Sequence, residues 1–204
     1  MDTFSCFEFD LNQFIEVVIV ILSLLYVGLI ALSQRAGWWF GVAASLLSVW
    51  LFIQVNLLAE SILYVYYVIM GLYGYFFWKY GSSRNKTAPI TTKPTAFHLG
   101  MVVCALFLTV VLAQILQYLN SANAYADAGT TIFSFLATWM VAKRILENWI
   151  YWIIIDAFSV WLYYERGLPL YAGLMALYSV IAIGGFVFWL REYRSQDQNG
   201  IMRQ

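Results

Sequence analysis

Charge is what this sequence is short of. Only 11% of its 204 residues are Asp, Glu, Lys or Arg, 63% are hydrophobic, and the mean hydropathy is +0.75. A soluble domain carries about 25% charged residues, so this chain cannot cover a water-facing surface and belongs in a bilayer. Its 11 acids and 11 bases cancel, which leaves no basic surface for nucleic acid. A single histidine, His98, excludes the common histidine-based metal sites. Two cysteines in unrelated segments, Cys6 and Cys104, exclude a disulfide framework. Neither cofactor nor metal is expected. Cys6 has no apolar run ahead of it, so a lipoprotein or cleaved leader is not expected either. Proline is also scarce. Two of the three fall in one stretch, GSSRNKTAPITTKPT, which marks a polar loop.

What is present is a series of apolar runs. A helix needs about 20 mostly apolar residues to cross the hydrocarbon core. Runs of this kind lie near 15–33, 38–57, 61–80, 97–118, 128–144, 148–164 and 168–190. The fifth is the weakest, uninterrupted only from Ala128 to Ala142, and Lys143 and Arg144 after it are placed to snorkel to the interface. With the N-terminus outside, one side collects Arg35, Lys79, Arg84, Lys86, Lys93, Lys143, Arg144, Arg191, Arg194 and Arg203, and the other only Arg166. That is a strong positive-inside signal. The expected fold is an all-α integral membrane protein with seven transmembrane helices, N-out and C-in.

Sliding the sequence over itself by 111 residues aligns the first three spans with the last three, without a gap. WWFGVAASLLSVWL (Trp38–Leu51) falls on WIYWIIIDAFSVWL (Trp149–Leu162), and GYFFW (Gly74–Trp78) on GFVFW (Gly185–Trp189). Three tryptophan pairs and a shared SVWL argue against coincidence. Because one span separates the copies, both enter the membrane in the same direction. This is a parallel repeat, of the kind that secondary carriers use to hold substrate near the midplane. The predicted organisation is 3+1+3. Residues 1–14 form an outer segment, 15–80 a first three-helix bundle and 81–96 a cytoplasmic loop. A linker helix follows at 97–118, a second bundle at 126–190, and a cytoplasmic tail at 191–204.

ENWIYWIIIDAFSVW places Asp156 inside the sixth span. A carboxylate at the centre of a spanning helix costs about 2.5–3.5 kcal/mol, so it must face protein or a water-filled cavity. At helical pitch Asn148, Trp152 and Asp156 drift only about 80° around the axis, with Trp149 beside them. One stripe thus offers an amide, two aromatic faces and a negative charge, which suits a flat cationic heterocycle. The competing reading makes Trp149 a belt or packing residue and Asp156 a cap for a neighbour. At offset 111 Asp156 falls on Ser45 and Trp152 on Gly41, so only one half carries them. Glu60, Tyr64 and Tyr67 share a face at the outer end of the third span; Glu60 either lines a vestibule or caps the helix. Gln114 and Gln117 lie deep enough in the fourth span to be costly against lipid. Tyr178 is the repeat partner of Tyr67.

ENWIYW with an aspartate four residues on, together with ESILYVYYVIMGLYGYFFW in the third span, resembles the PnuC family of bacterial vitamin transporters. The resemblance covers nearly the whole chain, including the 3+1+3 plan. It implies a SWEET-like fold, a homotrimer in the bacterial inner membrane, and uptake of nicotinamide riboside by facilitated diffusion with trapping by cytoplasmic phosphorylation, feeding NAD synthesis. Carried over residue by residue, it implies Glu60, Asn148, Trp149, Trp152 and Asp156 as substrate-binding. One departure is the lack of proline in spans one and five, where SWEET-type bundles hinge. Thiamine, riboflavin or a sugar are the alternative substrates. An enzyme is not expected, because one His98 and two isolated cysteines supply no nucleophile-base pair.

Overall fold

The computed structural model describes residues 3–54, 58–81, 88–119 and 123–198, with only the backbone described for 3–10, 58–60 and 62. Among the described residues seven helices follow in order: α1 (Thr3–Ala31), α2 (Gly37–Gln54), α3 (Leu58–Tyr80), α4 (Thr95–Tyr118), α5 (Ala124–Ala142), α6 (Asn148–Glu165) and α7 (Pro169–Gln198). Length and composition fit Leu11–Ala31 of α1, and α2, α4 and α7, to cross a membrane. Large apolar side chains stand exposed along them; on α4 these include Leu99, Val103, Phe107, Val110 and Ile115. In water such a face would be an aggregation site, and lipid is its natural partner. The chain is an all-α, multi-pass membrane protein with several long apolar helices.

The outer helices run past the apolar runs that betray them. α1 starts at Thr3, well before residue 15, because the residues between contain no glycine or proline to stop a helix. α7 likewise continues to Gln198, beyond residue 190. Hydropathy sees the hydrocarbon core, whereas the helix obeys backbone rules.

The chain divides into two compact units, residues 1–88 and 89–204. In the first, α2 packs on both α1 and α3. Trp38 and Trp78, fully buried, meet edge to face with ring centroids 5.5 Å apart and planes at 89°. Gly74 lies under the Trp38 ring, so closely that a Cβ there would collide with it. Gly41 in turn lies under the Tyr26 ring, 2.7 Å from where its Cβ would stand.

In the second unit α6 packs on α5 and α7, and α5 also on α4. Trp149 and Trp189 meet at 5.5 Å and 89°, and a Cβ on Gly185 would stand 2.8 Å from the Trp149 ring. The geometry repeats at the offset of 111 residues. It repeats in the turns as well. α1 ends on Ser33 at φ 57°, with Ser33 N–H bonded to Ile30 O and Gln34 N–H to Leu29 O. α5 ends on Arg144 at φ 54°, with Arg144 N–H bonded to Val141 O and Ile145 N–H to Met140 O. Both are Schellman closures, each built on a residue other than the usual glycine.

Arg144 does not snorkel. It is 1% exposed, bonds Glu192 Oε1 at 2.8 Å through Nη2, and lies over the Trp189 ring at 5.4 Å. A buried cation needs such a partner. The polar loop is also structured where it is described. Thr91 pairs with the α5–α6 turn through Thr91 N–H to Arg144 O and Leu146 N–H to Thr91 O. Gln196 Oε1 accepts from Ile90 N–H at 3.0 Å.

Candidate functional site

Helix α6 begins where the α5–α6 turn hands over Asn148 and Trp149, whose N–H groups bond Ile145 O and Leu146 O. This start fixes the rotation of α6, and with it the stripe Asn148, Trp152, Asp156. Asn148 is fully buried; its Nδ2 donates to Ile145 O at 2.6 Å, and its Oδ1 is buried without a partner among the described residues. Asp156 is 5% exposed, and among the described residues its carboxylate has no hydrogen-bond or ion-pair partner. Trp152 is half-buried, and among the described residues its indole has neither a ring contact nor a hydrogen bond. The stripe therefore holds an acceptor amide, an aromatic face and a carboxylate whose interaction capacity is unspent. Buried polar groups are normally satisfied, and two such groups left unspent on either side of an unengaged aromatic make this stripe the candidate site.

Trp149 is engaged in packing. Its ring is held by Trp189 and Gly185 as Trp38 is by Trp78 and Gly74. Among the described residues its buried Nε1 has no partner, and neither has that of Trp38, so this indole environment is common to both repeats. Trp152 differs from its counterpart in the first half. Its repeat partner Gly41 makes room for Tyr26, whose own counterpart is the buried Ala137. Asp156 has no such explanation: its counterpart Ser45 is buried and uncharged.

The other expected residues lie elsewhere. Tyr64 and Tyr67 touch each other at 5.7 Å between ring centroids, and Tyr64 stacks on Phe52 at 5.3 Å. The side chain of Glu60 lies outside the described residues. Gln114 is exposed, and its Nε2 donates to the Tyr125 hydroxyl at 3.0 Å, which meets the cost of an amide against lipid. Tyr178 is half-buried on α7. A cavity of about 610 Å³ opens between α4, α5 and α6, lined by His98, Glu147, Tyr151, Ile154 and Phe158 among others. Asp156 does not line it; at about 100° per residue it lies on the opposite face of α6.

Sequence reasoning missed the Arg144–Glu192 pair and the cluster of His98, Tyr151 and Glu147. Both join residues distant in the chain, so local spacing carries no sign of them.

A family model described as nicotinamide mononucleotide transporter matches residues 13–191. The nicotinamide riboside transporters PnuC of Escherichia coli (strain K12) and Shigella flexneri are each 25% identical to this chain over 219 aligned positions. Each alignment covers 95% of this chain and 91% of the relative. A crystal structure of the vitamin B3 transporter PnuC shares the fold, with a TM-score of 0.72 at 20% identity over 94% of this chain and 86% of that one. The match spans well over half of the sequence, and the chain belongs to the nicotinamide mononucleotide transporter family.

Proposed function

We propose that this chain is a uniporter for nicotinamide riboside and that Asn148, Trp152 and Asp156 form part of its substrate site. The observation that carries the reading is the buried carboxylate of Asp156 inside a membrane helix, without a partner among the described residues. A group that costs about 2.5–3.5 kcal/mol to insert is kept for a ligand rather than for the fold. The two curated relatives are named as nicotinamide riboside transporters. Their named substrate has a cationic pyridinium ring, a carboxamide and a ribose. Trp152 suits the face of that ring, Asp156 its charge or the ribose hydroxyls, and Asn148 Oδ1 a donor such as the carboxamide. The family description speaks of the mononucleotide. A phosphate beside Asp156 would meet a like charge, so the stripe favours the unphosphorylated riboside. Tyr64, Tyr67, Gln114, Tyr178 and Glu60 are secondary contributors in this reading.

The family is one of transporters rather than enzymes, and the chain is a multi-pass protein of the bacterial inner membrane. In the proposed arrangement all seven helices cross, N-out and C-in, as 3+1+3. The bundles run over 15–80 and 126–190 and the linker helix over 97–118, between the segments 1–14, 81–96 and 191–204. Transport is by facilitated diffusion with alternating access, trapping is by phosphorylation in the cytoplasm, and the assembly is a homotrimer. Support for the repeat comes from the matched Trp–Trp–Gly clusters and Schellman turns. Calorimetric titration of the purified protein with nicotinamide riboside, thiamine, riboflavin and glucose tests the substrate. Binding of the riboside alone supports the reading, and binding of another compound in its place reassigns the site.

A further inference from the structure

The cavity between α4, α5 and α6 has apolar walls, which any lipid-facing groove offers. Its distinguishing part is one polar end. There the Nδ1 of His98 lies 3.1 Å from the Tyr151 hydroxyl, and Glu147 Oε1 accepts from Lys93 N–H at 3.1 Å. With the Tyr151 hydroxyl donating to Nδ1, the neutral imidazole carries its proton on Nε2. That Nε2 is buried with no hydrogen-bond partner among the described residues, and so is Glu147 Oε2. Nε2 and Glu147 Oε1 are 3.9 Å apart, too far to satisfy each other. In this tautomer a donor and an acceptor stand side by side, both buried and unspent, beside an apolar groove.

We infer that this groove holds a phosphatidylethanolamine molecule. Its phosphate accepts from His98 Nε2–H, its ammonium donates to Glu147 Oε2, and one acyl chain lies along Ile154 and Phe158. Charge complementarity selects this lipid. A choline head has no N–H to give Glu147, and a glycerol head has no positive charge. A helix start agrees with a phosphate at this end. α4 begins here with His98 in its first turn, that turn is not capped by a side chain, and its dipole favours an anion. Length agrees as well: Glu147 to Phe158 covers about 16 Å of helix, roughly half of the hydrocarbon core.

The test uses the full chain, purified and stripped of lipid, then offered phosphatidylethanolamine, phosphatidylcholine or phosphatidylglycerol and read by native mass spectrometry. The ethanolamine lipid is expected to be retained about tenfold better than the other two, the worth of one charge-assisted hydrogen bond. Glu147→Gln should abolish that preference. Ile154 is exposed, so Ile154→Trp should leave the fold intact, fill the groove and displace all three lipids. Equal retention of the three lipids by the unaltered chain overturns the inference. So does undiminished retention by Ile154→Trp. Cross-linking of Ile154→Cys to a second copy in the stripped protein would also overturn it, because protein rather than lipid would then cover this face.

Discussion

Trp149 meets Trp189 edge to face at 5.5 Å and 89°, the separation and angle at which Trp38 meets Trp78. In each pair a glycine of the third helix, Gly185 or Gly74, lies under the six-membered ring of the first tryptophan. Two stretches 111 residues apart have kept one packing unit, and its members are the residues that both halves share.

That unit predicts a contrast between neighbouring glycines. A Cβ on Gly185 would stand 2.8 Å from a tryptophan locked by its partner, whereas Gly184 has nothing within 4 Å. Gly185→Ala should destabilise the protein by about 1–3 kcal/mol through overpacking. Gly184→Ala should be neutral or stabilise it by up to about 1 kcal/mol through helix propensity. Thermal unfolding in detergent separates the two.

Arg144 predicts a cost of a different kind. Arg144→Met removes a buried cation from Glu192 and from the Trp189 face. Because Glu192 is 30% exposed, water takes over part of its solvation. The loss should be about 1–3 kcal/mol rather than the full cost of an orphaned buried charge. Arg144→Lys should recover only part of it, since an ammonium lacks the planar fork. Denaturation midpoints of the two variants check the order.

Asp156→Asn should move stability and binding in opposite directions. Removing an uncompensated carboxylate from a buried position should leave the empty protein as stable or more so. Affinity for a cationic ligand should fall about tenfold or more, equivalent to about 1.4 kcal/mol. Unfolding and calorimetry on one preparation give both numbers.

Trp152 should contribute face rather than charge. Trp152→Phe should keep much of the affinity, and Trp152→Ala should lose about 0.5–2 kcal/mol of it. Trp149→Phe should instead lower stability, because its ring is spent on Trp189 and Gly185. Titrations beside melting curves distinguish the two tryptophans.

The helices were legible because apolar runs and the absence of breakers leave no other backbone solution in lipid. The candidate stripe was legible for the same reason: a carboxylate in such a run stands out. What local pattern concealed is long-range pairing. Arg144 looks like a snorkelling interfacial residue until Glu192, 48 residues on, closes over it. The stretch from Pro89 to Lys93 looks like plain loop until Thr91, Ile90 and Lys93 find Arg144, Gln196 and Glu147. Trp149 stands with the ligand groups by helical spacing and by the family resemblance, while its repeat partner Trp38 points to scaffold. Offset identity is the better guide there, since residues common to both halves hold the fold.

The central claim is that Asp156 recognises a positive ring. The most direct measurement is a paired titration of the unaltered protein and Asp156→Asn with nicotinamide riboside and with its reduced dihydropyridine form, which keeps the ribose and carboxamide but has a neutral ring. The account predicts that the unaltered protein prefers the charged form about tenfold or more and that Asp156→Asn loses this preference. Equal affinity of the unaltered protein for both forms, or a preference that survives in Asp156→Asn, would contradict it.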